Sequence, residues 1–335
     1  MRPWIPALRG ACPRAGFQPD PWASGRDDDL GRCKSRLRDE VRSTDIRAHP
    51  SVLHDPAMTS PARKPQRPPR RDERPPAKEQ RHLLRVAGLR AVTALFATEA
   101  FRVERLFYDE RLKAQVGAFC AELARQRKPY RLVGGDELAR VAGTVLHGGI
   151  VAVAQPRPLP ALDLAETRRW GREGGLLLLL DGIGNPHNLG AIARSAAFFG
   201  VRRMILSDHP EQARPSDASY RIAEGGLEHL QLYEAQRFAA TLRRLRESHF
   251  VLGAALGEGR SPDELRREAA KKPGRPFALV LGNEEDGLPQ ATREACEAIV
   301  TIPGGGPMQS LNVSASAAIL LYALRRGAGV GAGAG

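Results

Sequence analysis

IPGGGPMQSLNVSASAAILLYAL, residues 302–324, decides how the rest of the chain is read. A short strand enters a glycine-rich loop, the loop ends in Ser310-Leu311-Asn312, and an alanine-rich helix starts at once. A helix that only packs in a core needs neither three glycines ahead of it nor a polar pair at its mouth. Backbone that must approach a ligand closely needs them. Two stretches upstream have the same build, DGIGNPHNLGAIARSAAFFG (181–200) and LVLGNEEDGLP (279–289). Each begins where an apolar run stops, and in an open α/β sheet ligands bind beyond the carboxyl ends of the strands.

Around these loops, apolar strand-like runs alternate with helical periodicity. LLLLLD (176–181) is a continuous apolar run, as expected of a parallel strand covered on both faces. A helix over 189–199, the strand VRRMILSD, helix 236–247, strand 249–255, helix 262–271 and strand 277–281 follow. AIVTIP (298–303) supplies the last strand and 312–326 the last helix. The alternation predicts an α/β fold with a doubly wound parallel sheet over 175–327.

Upstream, RVAGLRAVTALFAT reads as a helix, RVERLFYDE as a strand and LKAQVGAFCAELARQRK as a second helix. RLVGG reads as a strand, DELARVAG as a short helix capped by Asp136, and HGGIVAVAQP as a closing strand. These make a small α/β domain over 81–156, with 157–174 read as a linker. Residues 1–80 mix proline, arginine and aspartate without period, and PARKPQRPPRRDERPP (61–76) holds six prolines. Such a segment buries too little apolar surface to offset chain entropy, so a disordered basic arm is expected there. A flexible Gly/Ala tail is expected over 328–335, and Met58 is an alternative start.

The formal net charge is +13, with a sequence pI near 10.2, which favours a polyanionic partner, nucleic acid first. No apolar run approaches the 18 or so residues of a membrane span. The N-terminus has no signal-peptide pattern, so cytoplasmic residence is expected. Cys12, Cys33, Cys120 and Cys296 are scattered, without C-x-x-C or zinc-like His spacing, so no metal is expected.

The loops narrow the chemistry further. Glycines 182, 184 and 190 do not fit G-x-G-x-x-G, and no Walker lysine follows, which counts against a nicotinamide or nucleoside triphosphate site. In the helix after this loop, Leu189, Ile192, Ala193 and Ala196 form one stripe. Arg194 points nearly opposite, among Ala191, Ala197 and Phe198. A lone guanidinium there needs an anionic partner, and a phosphate or substrate is preferred to a structural salt bridge. Gly282-Asn283-Glu284-Glu285-Asp286-Gly287 sets three acids between glycines, either as an ordinary turn or to present amides and a carboxylate to a ligand. Asn312 is placed as a helix N-cap, or with Ser310 as a substrate contact.

The three motifs resemble those of the SpoU (TrmH-like) branch of the SPOUT RNA methyltransferases over 175–326. The stretch 82–155, with His147-Gly148-Gly149-Ile150, looks like the small L30e-like RNA-binding domain that often precedes the catalytic unit. The layout, with its long basic arm, is similar to the YfiF-type subgroup. The resemblance implies methyl transfer from S-adenosylmethionine to a ribose 2′-hydroxyl of tRNA or rRNA, without a metal. It also implies a C-terminal trefoil knot and a homodimer with active sites at the subunit interface.

By motif, the resemblance assigns Asn188 and Arg194 to the first family motif, with Arg194 the principal catalytic residue. Glu284 falls on the acidic position of the second motif, and Ser310 and Asn312 on the polar positions of the third. Cofactor contacts fall on Leu281, Gly282, Asn283, Gly287, Ile302, Pro303, Gly304, Ser310 and Leu311, chiefly through backbone. Asn185 stands where many members have Asp, and Gly306-Pro307-Met308-Gln309 is unusual before Ser310. Two rival readings are a non-catalytic RNA-binding protein on the same scaffold and a dinucleotide oxidoreductase, which lacks its glycine fingerprint.

Overall fold

The computed structural model describes residues 83–257, 259–271 and 274–325. The arm over 1–80 and the tail over 328–335 lie outside the described residues.

The first sheet comprises β1 (Leu84–Ala87), β2 (Val103–Tyr108), β3 (Tyr130–Leu132) and β4 (Ile150–Ala154). Its order is β1-β4-β2-β3, with β4 antiparallel to β1 and β2, and β3 parallel to β2. Helices α1 (Leu89–Glu99), α2 (Gly117–Arg125) and α3 (Gly135–Ala142) accompany it. The helix expected from Arg85 onward therefore begins as a strand. Gly88, at φ 97°, breaks the chain between β1 and α1, a conformation that costs glycine little. Asp136 does not cap α3: Gly134 holds the N-cap position without a side-chain bond, and Asp136 sits in the first turn, where its charge favours the helix dipole.

The second sheet is wholly parallel. Its strands are β5 (Leu177–Asp181), β6 (Arg203–Ser207), β7 (Gln231–Ala235), β8 (Phe250–Ala254), β9 (Phe277–Gly282) and β10 (Ala298–Val300). Their order is β10-β8-β9-β5-β6-β7. All five residues of β5 are buried, and Leu178 pairs in register with Leu279 on one side and Met204 on the other. From β5 the chain winds outward through β6 to β7, crosses to β8, and inserts β9 between β8 and β5. The strand order thus reverses between β5 and β9, where a crevice opens at the carboxyl ends.

Around this sheet lie α4 (Leu164–Glu173), α5 (Pro186–Phe198), α6 (Asp217–Ala223), α7 (Phe238–Leu245), α8 (Pro262–Ala270), α9 (Gln290–Ala295) and α10 (Val313–Arg325). Helix α4 occupies the stretch read as linker. Asp163 caps it by accepting from Ala165 N at 2.8 Å, and Trp170 is buried against Tyr233, ring centroids 5.0 Å apart. Flanking prolines and glycines hid ten helical residues whose stability comes from that tryptophan. The short α6, β7 and α9 also escaped the sequence reading, being too brief for periodicity to register.

A buried polar network joins the segment carrying the first sheet to the second. Arg102, 3% exposed, donates to Gln155 O at 2.9 Å and pairs with Glu99. Arg157 pairs with the same carboxylate at 2.9 Å and donates to Leu227 O and Leu230 O at 3.0 and 2.7 Å. Arg157→Ala strips three carbonyls, Leu227 O, Leu230 O and Glu228 O, of a donor and halves the compensation of Glu99. We expect it to destabilise the fold by about 2–3 kcal/mol in urea unfolding. A loss below about 0.5 kcal/mol, the ordinary surface range, would mean the network is mere decoration.

Candidate active site

Three loops rise from the carboxyl ends of β5, β9 and β10, and side chains hold them in place. Asn185 accepts from His187 N at 2.9 Å and caps α5, with Pro186 at the first helical position. Asparagine therefore keeps the turn that aspartate would make. Gln212, from the β6–α6 connection, accepts from Gly182 N at 3.0 Å and Ile183 N at 3.1 Å. The sequence reading missed Gln212, since nothing in its neighbourhood marks it and its partners lie about thirty residues upstream.

Asn283 ties the second loop to the first, donating to Gly182 O at 2.9 Å while its oxygen accepts from Glu285 N at 2.8 Å. Its backbone exchanges bonds with Gly287 at 2.9 and 3.1 Å. Beneath, the buried carboxylate of Asp181 accepts from Thr292 Oγ1 at 2.6 Å. Gly282 is fixed by closeness: a Cβ there would fall 2.6 Å from Leu288 N and closer still to the Gly287 carbonyl.

The third loop differs. Gly304, Gly305 and Gly306 have open space where a Cβ would stand, and none has positive φ. Nothing within the described chain requires glycine at these positions. Among the described residues, no acceptor meets the backbone amides of 304–306 or 308–311. This exposed loop suits a ligand that takes backbone donors at close range. Met308 and Leu311 are exposed beside it, and Ser310 lies on the same open segment.

One polar chain spans all three loops. Asn188, in the first turns of α5, donates through Nδ2 to the Glu284 carboxylate, and Asn312 Nδ2 donates to Asn188 Oδ1 at 3.2 Å. Asn312 also caps α10, its oxygen accepting from Ser314 N at 2.8 Å. The helix-cap reading of Asn312 therefore holds, and its amide also reaches Asn188.

Arg194 is not part of this bridge. It lies six residues beyond Asn188, about 9 Å along the helix axis and turned to another face. Its Nη2 sits 3.1 Å from Glu224 Oε2, an oxygen also 3.1 Å from Arg90 Nη1. The salt bridge that was the lesser reading is therefore present. The guanidinium is still half exposed, and Glu224 reaches it from a left-handed backbone, φ 45°. Behind it, a Cβ on Gly226 would fall 2.8 Å from Arg194 Cα, so the backbone there is closely packed. The predicted stripe of Leu189, Ile192, Ala193 and Ala196 is buried.

Comparison with known proteins adds two family models and a set of relatives. A model described as the SpoU rRNA methylase family matches residues 175–322, and one described as RNA 2′-O ribose methyltransferase substrate binding matches 85–160. The chain is similar to the 23S rRNA (guanosine-2′-O-)-methyltransferase RlmB of Nitrosomonas europaea, 32% identical over 245 residues, 72% of this chain and 90% of that one. It is 30% identical over 240 residues, 71% of this chain and 66% of the other, to the uncharacterized tRNA/rRNA methyltransferase YfiF of Escherichia coli O157:H7. The AdoMet-bound structure of the SpoU methyltransferase AviRb from Streptomyces viridochromogenes superposes with a TM-score of 0.56 at 26% identity, covering 73% of this chain and 89% of that one. An rRNA methyltransferase structure from Sinorhizobium meliloti shares the fold, with a TM-score of 0.59 at 22% identity over 73% and 87% of the two chains.

Proposed function

Because this chain belongs to the SpoU rRNA methylase family, we propose that it transfers a methyl group from S-adenosylmethionine to the ribose 2′-hydroxyl of a tRNA or rRNA nucleotide. The bridge Asn188–Glu284–Asn312 carries this reading, because it gathers all three loops at the point where strand order reverses. The open glycine loop at 304–306, which leads to Asn312, would receive the methyl donor. Backbone at Leu281, Gly282, Asn283, Gly287, Ile302, Pro303, Gly304, Ser310 and Leu311 would hold that donor.

When bound, S-adenosylmethionine supplies an electrophilic sulfonium methyl. The chain must align the ribose oxygen with it and help the hydroxyl proton leave. Asn188, Glu284, Ser310 and Asn312 would orient the reactants. Arg194 would contact the ribose or its neighbouring phosphate. A guanidinium keeps its charge in proteins, which suits it to positioning and charge stabilisation rather than to accepting a proton.

A homodimer would bring Arg194 of the partner subunit to each bridge. Its support is an exposed apolar face on adjoining helices, formed by Phe198 of α5 with Ile319 and Tyr322 of α10. The trefoil knot belongs to the same proposal, supported by α10 packing across α5, α8 and β9. No described helix is long and apolar enough to cross a membrane. Residence with the RNA, in the cytoplasm, fits the reading.

The test is transfer of radiolabelled methyl from S-adenosylmethionine into total RNA, followed by nuclease mapping. A 2′-O-methylated nucleotide is expected; label confined to a base, or none at all, would refute the reading. Gly282→Ala forces the second loop off the Gly287 backbone, and we expect S-adenosylmethionine affinity to fall at least about tenfold, some 1.4 kcal/mol, by calorimetry. Unaltered affinity would mean that this turn does not shape the cofactor site.

A further inference from the structure

We propose that a cleft at the amino ends of β5, β6, β8 and β9, opposite the methyl-transfer loops, binds the phosphate backbone of an RNA strand. The inference rests on the RNA methyltransferase reading and adds a contact surface to it.

The cleft has two adjoining parts that share Gly175, Leu176 and Arg325, the larger about 750 Å³. Six arginines line it, Arg202, Arg203, Arg266, Arg267, Arg275 and Arg325, against two acids, Glu173 and Asp263. Arg203 is paired with Glu173, Arg266 with Asp263, and Arg275 with Glu297 from outside the cleft. That leaves Arg202, Arg267 and Arg325 without an ion pair among the described residues, although Glu173 and Glu264 lie within electrostatic reach of Arg202 and Arg267 and Arg267 donates to the Asp263 carbonyl. A concave surface lined by more guanidiniums than carboxylates concentrates positive potential and suits phosphate oxygens.

His249 reports the same field from within. Burial, and then the charges of Arg275 and Arg203, push its pKa down to about 4. The arginines are also strung out rather than convergent. Arg203 begins β6 and Arg275 precedes β9, two strand spacings or about 10 Å apart. A row of that kind follows a strand of phosphodiesters better than it cups one small anion.

The test measures how affinity for a uridine homopolymer of about 30 nucleotides varies with salt, since each neutralised phosphate contributes a log–log slope of about −0.7 for single strands. The variant is Arg202→Gln/Arg267→Gln/Arg325→Gln, and the charge-matched control is Arg168→Gln/Arg243→Gln/Arg244→Gln on the exposed faces of α4 and α7. Melting midpoints check that both fold. We expect the cleft variant to make the slope shallower by about 2, with the control moving it by less than half as much. Arginines at helix ends also offset helix dipoles, and were that their whole role, the slope would stay put. An unchanged slope, or one the control matches, overturns the cleft while leaving the methyltransferase reading intact. No RNA binding by the wild-type protein would overturn both.

Discussion

Replacing Arg194 by alanine is expected to lower methyl transfer at least about 100-fold, the range for a group acting directly on the reacting atoms, while S-adenosylmethionine binding is retained. The side chain is half exposed and its ion pair is a solvent-facing one, so its loss should cost little stability. Undiminished turnover would refute the assignment. Within one chain, Arg194 is remote from Asn188, Glu284 and Asn312, and this geometry makes a sharper experiment available. Arg194→Ala mixed with an Asn188→Ala/Asn312→Ala variant should regain about a quarter of wild-type activity. In random mixing half of the dimers are heterodimers, and each has one site with an intact bridge and an intact arginine. No recovery would place the arginine's role in its own subunit, or exclude it from the chemistry.

Glu228→Gln should stabilise the protein at pH 8 by up to about 3 kcal/mol and leave it nearly unchanged at about pH 4. Glu228 is 5% exposed, and neither carboxylate oxygen has a hydrogen-bond partner among the described residues. Burial pushes its pKa from 4.5 to about 7; its own nearby backbone amide, then Arg157 and Arg102, pull it back, while Glu99 adds to the rise. Because the folded value lies above the unfolded one, the protonated group favours the fold. That contribution is fully present below about pH 4.5 and is lost as pH rises through about 7. Glutamine stays neutral and does not lose it. Urea unfolding at both pH values reads the difference, and a gap independent of pH would show that Glu228 keeps its ordinary pKa.

The catalytic half was largely legible because its strands are buried on both faces and read as uninterrupted apolar runs, LLLLLD above all. The elements that went unread are short or edge-placed. Helix α6 is seven residues, its start fixed by Ser219 Oγ accepting from Ser216 N at 2.7 Å, and β1 was absorbed into the helix that follows Gly88. Helix α4 was lost among prolines and glycines, although Trp170 marks its buried side. In the site, the resemblance to the SpoU family assigned Asn188, Glu284 and Asn312, and the structure brings their side chains together. Gln212 was invisible because its function is to satisfy two amides of a loop far away in sequence.

By itself the sequence determined where ligand-seeking backbone lies, since glycine and polar residues following an apolar strand have a local physical meaning. It also determined the layered α/β order, because burial on both faces of a strand is written into every residue of the run. Only the tertiary structure decided which side chains meet. The bond between Asn312 and Asn188 joins residues 124 positions apart, and Glu224 holding both Arg90 and Arg194 depends on a helix end delivered from elsewhere. Hydrogen bonds and ion pairs act over a few ångströms, and pairing at that range is set by how the elements pack, which no local pattern encodes.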